Sequence, residues 1–186
     1  MMKRFAMATV VAFAVLASAR AAPSEFGDNG ALPESERNFL DLFAASQRQL
    51  DEPRSLQSIS ALRVDMQIRV ARFMNQNPLA HGWVGVVEDS HVNRDGTAWV
   101  SIKISQDVAL VTTKDRAADP DALSLIVNTS PIYPLVKGLK SGKQVVFDAR
   151  LLGAQLDTDE GMIRRPQILV AFKDIKYAET GGKSAQ

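Results

Sequence analysis

The chain has no cysteine, only two histidines and few aromatic residues, and these absences narrow what it can do. Without cysteine it forms no disulfide, has no thiolate ligand for a metal and cannot carry a lipid on a thiol. It also contains no G-x-S-x-G and no S-x-x-K motif, so neither a serine nor a thiol nucleophile is indicated. We therefore expect a protein that is not an enzyme and that has no cofactor.

The N-terminus has the three regions of a secretory signal peptide. Residues 1–4 are basic, residues 5–17 form an apolar run, and residues 18–22 are mostly small. The apolar run is shorter than the about 20 residues that a membrane-spanning helix needs, so we expect no stable membrane insertion. We expect the mature protein to begin between Arg20 and Pro23 and to be periplasmic or secreted.

Removal of this leader changes the charge of the protein. The full chain has a formal net charge of +1. Lys3, Arg4 and Arg20 leave with the leader while all 21 acidic residues remain, so 19 basic residues give the mature chain a net charge of −2. Such a chain lacks the broad basic field that drives non-specific binding to nucleic acid or anionic lipid.

Two helices are predicted after a flexible segment rich in proline and glycine. The first begins at Glu34 and ends before Pro53, because proline disfavours helix at the residue preceding it. The second runs from about Ser55 to Asn75 and has two apolar stripes. The main stripe is Ile59, Leu62, Met66, Val70 and Phe73, and the second is Ala61, Val64, Ile68 and Ala71. We expect both stripes to be buried, one against the barrel and the other against the first helix.

The stretch from Gly82 to Ile104 predicts an antiparallel hairpin around the turn Asn93-Arg94-Asp95-Gly96. In its second strand aliphatic residues alternate with Trp99, Ser101 and Lys103, which is typical of a strand with one buried face. Gly85 in the first strand predicts a bulge or a sharp bend.

Three more strands and a helix follow. The third strand combines residues 108–113 and 123–129, a helix runs from Ser130 to Gly142, and strands four and five cover residues 144–152 and 167–177. This order of elements is that of the OB-fold. The opening Trp-Val-Gly-Val-Val at 83–87, the segment 139–147 and the closing strand make residues 82–177 resemble an exported bacterial OB-fold domain of the broad tRNA-anticodon-like class.

The expected fold is therefore α+β, with two N-terminal helices packed on a five-stranded OB-type β-barrel and a helix between strands three and four. The expected segments are a signal peptide at 1–21, a flexible linker at 22–33, a helical segment at 34–76, the barrel at 81–177 and a disordered tail at 178–186.

The resemblance implies a binding face on strands two and three, on the loop between strands one and two, and on the loop between strands four and five. The candidate ligand-binding residues are Trp99, Ser101, Lys103, Arg94, Arg164 and Arg165. A competing interpretation is that the N-terminal helices cover Trp99. We expect protein–protein interaction with a partner in the cell envelope. The alternative is an OB module that binds single-stranded nucleic acid, through stacking on Trp99, or an oligosaccharide.

Metal binding is not indicated. His91, Asn93, Asp95 and Gly96 have the spacing of the start of a calcium loop, but a histidine replaces the first aspartate and Ile102 stands where the bidentate glutamate belongs. A hairpin turn explains the same residues. The acidic cluster Asp157, Asp159 and Glu160 is expected to be a solvated loop.

Overall fold

A computed structural model describes residues 32–50, 56–114, 123–155 and 163–178. The predicted signal peptide, nearly all of the linker, the acidic cluster at 157–160 and nearly all of the C-terminal tail lie outside these residues. Helix α1 spans Glu34–Leu50 and helix α2 spans Leu56–Gln76. Both helices therefore begin and end close to the predicted positions.

Six strands and a short helix follow α2. The strands are β1 Leu79–Val92, β2 Thr97–Lys103, β3 Ala109–Val111, β4 Ile126–Val127, β5 Gln144–Gln155 and β6 Gln167–Tyr177, and helix α3, Tyr133–Gly138, lies between β4 and β5. Pairing in the order β1-β5-β6-β3-β2 and again from β2 to β1 closes five of these strands into a barrel. The β3–β6 pair is parallel and the other pairs are antiparallel. The predicted five-stranded barrel is confirmed, and its closure is compatible with an OB-like fold.

Closure depends on the length of β1, which pairs with two partners along its 14 residues. Its first half pairs with β5 and its second half with β2, and Val86 is opposite both Gln144 and Lys103. Gly85 lies at this change of partner, where an added Cβ would be 2.5 Å from Ile102 Cγ2 and 2.7 Å from the carbonyl oxygen of Lys103. The register irregularities fall elsewhere, between Ala80 and Trp83 and between Val87 and Asp89. Gly85 thus permits a close approach of strands instead of forming the predicted bulge.

The position of the last helix differs from the prediction. Residues 126–127 do not extend the third strand but form the separate strand β4, which pairs with Thr97 and Ala98 at the start of β2. Strand β3 pairs with the other end of β2, so β3 and β4 are both hydrogen-bonded to β2, one at each end. Consequently α3 follows β4, an extra strand outside the five of the barrel. The helix is also shorter than predicted, because Gly138 is its last residue and Gly142 lies in the turn beyond it with a positive φ of 76°.

The two N-terminal helices share the hydrophobic core of the barrel. The ring of Phe39 in α1 lies 5.2 Å from that of Trp83 in β1 and 5.2 Å from that of Phe73 in α2. In α2 the predicted main stripe is buried at Leu62, Met66 and Val70. The prediction that the second stripe is also buried was wrong, because Val64 and Ile68 are 44% and 54% exposed and Ala61 and Ala71 are exposed as well.

One titratable side chain joins α1 to the barrel from inside the core. Glu36 is fully buried, and its Oε2 accepts a hydrogen bond of 3.0 Å from the backbone N–H of Val84. Its Oε1 has no partner among the described residues. Burial raises the pKa of Glu36 to about 7, although the bond from Val84 acts in the opposite direction. Beside it the indole Nε1–H of Trp83 donates to Ser35 Oγ at 2.9 Å.

Candidate functional site

The candidate site lies on the outer face of β2. Val100 and Ile102 are fully buried, so the alternation of the strand turns Trp99, Ser101 and Lys103 to the other side. On this side β1 and β3 are the neighbouring strands, and Ser101 is opposite Asp89 of β1 and Val111 of β3. Three of the six predicted residues therefore lie on the same side of a three-stranded region, although Ser101 is itself buried there.

Glu88 of β1 is the centre of a polar cluster on this surface. It lies within the register irregularity between Val87 and Asp89, which separates it from the regular pairing with β2. Its Oε1 is 2.9 Å from Lys103 Nζ, and its Oε2 accepts a hydrogen bond of 2.8 Å from Ser101 Oγ. Both carboxylate oxygens thus have partners.

The environment of Glu88 keeps it ionised. Partial burial alone would raise its pKa, but the hydrogen bonds from Lys103 and Ser101 and the positive charges of Lys103 and Arg165 lower the pKa below its ordinary value. Because the carboxylate is charged and bonded on both oxygens, it is suited to holding Lys103 and Ser101 in place and poorly suited to exchanging protons at neutral pH.

An open pocket of about 370 Å³ adjoins this cluster. Glu88 and Lys103 form one side of it, and the turn after β2 and the residues that lead into β6 form the rest. The remaining lining residues are Gln106, Asp107, Val108, Ala109, Arg165, Pro166 and Gln167. The lining therefore combines charges of both signs with two side-chain amides.

Trp99 lies two residues before Ser101 on the same face and is half-buried. His91 is its pairing partner on β1, with 6.2 Å between the ring centroids. Lys114 Nζ stands 4.8 Å from the centroid of the indole, in a cation–π contact. The aromatic residue that the N-terminal helices bury is Trp83, through Phe39 and Ser35.

The three predicted arginines lie at different places. Arg165 lines the pocket. Arg164 precedes it, and its carbonyl oxygen accepts a hydrogen bond of 3.3 Å from Gln47 Nε2 of α1, so this segment is tied to the helix. Arg94 is exposed in the turn between β1 and β2. The structure thus brings Ser101, Lys103 and Arg165 together around Glu88 and places Arg94 beyond the Trp99 end of the face.

The turn at Asn93–Gly96 uses its polar side chains internally. Asp95 Oδ1 accepts hydrogen bonds from the backbone N–H and from Oγ1 of Thr97, at 3.0 Å and 2.7 Å. Asn93 Nδ2 donates to Thr97 Oγ1 at 2.9 Å and to the carbonyl oxygen of Lys114 at 2.8 Å. The residues that resemble a calcium loop therefore stabilise the hairpin and fix the position of Lys114 beside Trp99.

Sequence reasoning missed Glu88 and Lys114 as members of the face. Glu88 follows an apolar run, and its outward direction depends on a register irregularity that strand alternation does not reveal. Lys114 lies in the loop after β3, where no periodic pattern specifies which strand it reaches. The pairing of His91 with Trp99 could have been predicted from the sequence, because a hairpin turn at residues 93–96 brings the two residues opposite each other.

Among the described residues no group of three or more histidine or acidic side chains is arranged to hold a metal ion. Within the same ranges, no helix has the length and apolar character needed to cross a membrane. Neither a scan of the chain against protein-family models nor a search among curated proteins finds a match.

Proposed function

We propose that this chain is an exported, non-catalytic binding module of the OB class, and that it binds a protein partner in the cell envelope through the outer face of β2. The observation that carries the proposal is the half-buried Trp99, held between His91 and Lys114 on the same side of β2 as the polar pocket. An amphipathic ring placed in a surface of this kind is typical of the anchor residues of protein interfaces.

The polar cluster supports binding over catalysis. Glu88 is one of the two acidic residues that line the pocket, with Asp107, and both of its oxygens are already bonded, to Lys103 and to Ser101. A general acid or base needs a proton to exchange near neutral pH, whereas the pKa of Glu88 is lowered. A cluster of charged and polar groups already bonded to one another is better suited to recognising polar groups on a partner.

The surroundings of Trp99 favour a protein over a single-stranded nucleic acid. Lys114 already occupies one face of the indole, so a base would have to displace it before stacking there. The pocket beside Lys103 also contains Glu88 and Asp107, which offset the positive charges that a phosphate backbone would need. A protein surface, with charges of both signs, fits this lining better.

Export is part of the proposal and rests on the basic, apolar and small-residue regions at 1–22. Mass spectrometry of the protein recovered from the periplasm or the medium is expected to give a mature chain that begins between Arg20 and Pro23. An intact Met1 in that fraction would contradict export by a cleaved leader.

The test of the binding face is Trp99→Ala, with Leu79→Ala as the matched control. Leu79 is 50% exposed and pairs with Arg150 of β5, on the other half of β1. Affinity capture from an envelope extract identifies the partner, and titration with the purified partner measures affinity. We expect Trp99→Ala to weaken binding at least about tenfold, as truncation of a central interface aromatic does, and Leu79→Ala to leave it unchanged.

Three results would contradict this assignment. If Trp99→Ala binds the partner normally but has a lower Tm, then Trp99 is a packing residue and the ligand lies elsewhere. If a labelled single-stranded oligonucleotide binds the wild-type protein with an affinity that falls steeply with salt, the nucleic-acid alternative is correct. Binding to an oligosaccharide array with no salt dependence would indicate the glycan alternative.

A further inference from the structure

The open pocket of the candidate site has hydrogen-bonding groups that the fold itself does not use. Arg165 and Gln167 line one wall, and Gln106 lines the other wall in the turn after β2. All three side chains are exposed, and none of them is hydrogen-bonded to another described residue. Free donors therefore face the pocket from both sides.

The backbone of both walls is fixed by hydrogen bonds. In the turn after β2, Ser105 Oγ accepts bonds from the backbone N–H of Val108 at 3.1 Å and of Asp107 at 3.4 Å. On the other wall, the carbonyl oxygen of Pro166 accepts a bond of 3.1 Å from the backbone N–H of Ala109. The two walls are thus held at a set separation, and binding has to order only the side chains.

The charges around Arg165 leave one positive charge uncompensated on its side of the pocket. Lys103 and Glu88 neutralise each other through their contact of 2.9 Å. The ammonium group of Lys103 has three donors, and its side chain is 41% exposed, so it can bond a second acceptor while it holds Glu88. Arg165 acts on Glu88 through its charge but is not bonded to it. One positive charge and several donors therefore remain for one acceptor with a single negative charge.

A carboxylate matches these groups better than a phosphate does. Its two oxygens can accept two parallel bonds from the guanidinium of Arg165. A phosphate monoester carries a charge of about −1.5 to −2 at pH 7, more than the single uncompensated positive charge. Asp107 also lines the pocket and repels every anion, and the repulsion is stronger for the more highly charged group.

We propose that the pocket binds one carboxylate of the protein partner, with Arg165 as the anchoring residue and Lys103 as a second donor. This inference rests on the proposed function, because it names the group that the partner presents beside Trp99. Trp99 lies four residues before Lys103 on β2, about 13 Å along the strand. The carboxylate and the group that contacts Trp99 are therefore separated by a similar distance on the partner.

Small carboxylates test the pocket without the partner. The purified nitrogen-15-labelled protein is titrated by NMR with N-acetylglutamic acid α-amide, which offers a side-chain carboxylate, and with N-acetyl-alanyl-alanine, which offers a terminal one. We expect saturable shifts, at millimolar concentrations, of the Nε–H signal of Arg165 and of the side-chain amide signals of Gln106 and Gln167. The compound that saturates at the lower concentration identifies which kind of carboxylate the pocket takes.

Three variants assign the shifts to the pocket. Arg165→Gln is expected to weaken binding of the small carboxylates at least about tenfold, because the charged bonds are lost. Arg150→Gln is the matched control, since Arg150 is exposed on β5 and pairs with Leu79 instead of facing the pocket. Asp107→Asn should strengthen binding, because it removes a repulsive charge, and a merely structural role of Asp107 would not do so.

Three results of the titration would overturn the proposal. The first is an equal shift with sodium chloride at the same ionic strength, which would show only a general response to salt. The second is tighter binding of methyl phosphate than of either carboxylate. The third is a shift that appears only after Asp157, Asp159 and Glu160 are replaced by amides, which would show that the chain's own acidic segment fills the pocket.

The captured partner separates this proposal from the proposed function. Arg165→Gln is expected to weaken partner binding at least about tenfold, and Arg150→Gln to leave it unchanged. If Trp99→Ala weakens binding but Arg165→Gln does not, the binding face is supported and the carboxylate site is refuted. If Arg165→Gln weakens binding but Trp99→Ala does not, the carboxylate site is supported and Trp99 is not the anchor.

Discussion

At the scale of single residues, Glu36 shows how one buried carboxyl makes a helix contact depend on pH. Its Oε2 is bonded to the N–H of Val84 and its Oε1 has no described partner, so the ionised form loses hydration without full compensation. Its pKa is accordingly about 7 in the folded protein against an ordinary value of 4.5. The contact between α1 and β1 is therefore most favourable when Glu36 is protonated.

The sign of the pH dependence of stability follows from the upward shift of the pKa of Glu36 on folding. A carboxyl with a raised folded pKa contributes stability that is fully present below pH 4.5 and is lost as the pH rises through about 7. We expect the ionisation of Glu36 to lower the free energy of unfolding by about 3 kcal/mol between pH 5 and pH 9. Urea titrations at several pH values measure this change in the free energy of unfolding.

Glu36→Gln should remove most of this dependence, because the amide keeps an acceptor for Val84 and has no ionisation. The exposed Glu34 in the same turn offers a matched control, and Glu34→Gln should leave the wild-type slope unchanged. A Glu36→Gln protein with the wild-type slope would show that another group determines the pH dependence.

Gly85 allows a second prediction at this scale. Gly85→Ala places a methyl group within 2.5 Å of Ile102 Cγ2 and 2.7 Å of the carbonyl oxygen of Lys103, where backbone cannot yield easily. We expect a loss of about 1–3 kcal/mol in the free energy of unfolding, measured with denaturant. The control is Gly153→Ala in β5, where an added methyl group meets nothing within 4 Å. Equal stabilities of the two variants would contradict the close approach of β1 and β2.

At the scale of elements, α2 is a helix with two apolar faces of which only one packs in the core. Periodicity identified both stripes, but it carries no information about which neighbour each one meets. Met66 is fully buried with the aromatic core of α1, whereas Ile68 is mostly exposed. The number of neighbouring elements available for packing decides this difference.

Met66→Asp is therefore expected to be far more harmful than Ile68→Asp. An unpaired charge at position 66 enters a dry core and should cost about 4 kcal/mol or more, which lowers the Tm by more than about 10 °C. At position 68 the same change meets solvent and should leave the Tm within a few degrees. Thermal unfolding monitored by circular dichroism compares the two variants. A Met66→Asp protein with the wild-type Tm would mean that α2 is not part of the core.

At the scale of the whole molecule, the helices and the barrel have one continuous core. Phe39 and Phe43 of α1, Met66 of α2 and Trp83 of β1 belong to the same buried cluster as the inward residues of the barrel. Removing α1 would expose Trp83, the largest fully buried side chain of the described residues. The barrel is therefore not expected to be stable without the helices.

This predicts a single cooperative unfolding transition. In a Trp99→Phe protein, tryptophan fluorescence reports Trp83 alone and circular dichroism at 222 nm reports the helices. The two signals should change at the same temperature and the same denaturant concentration, because the shared core couples them. Loss of the helical signal well before the fluorescence change would show instead that the helices are an arm that detaches from an independently stable barrel.

Local patterns in the sequence were sufficient to predict the two N-terminal helices, the β1–β2 hairpin, strand β6 and the division of β2 into an inward and an outward face. These features depend on periodicity and turn residues within a few positions, which the sequence displays directly. The partly exposed positions of Trp99 and Lys103 follow from the same alternation, whereas Ser101 on the same side is buried.

Tertiary structure alone decided the features that depend on distant segments. Which strand residues 126–127 join, where β1 changes partner at Gly85 and how Glu88 and Arg165 meet Lys103 all require barrel closure, which pairs residues far apart in the chain. The same holds for the exposure of Val64 and Ile68 on α2, since exposure depends on how many neighbours a helix has. A sequence pattern specifies which side chains share a face, but only the assembled core determines whether that face meets protein or water.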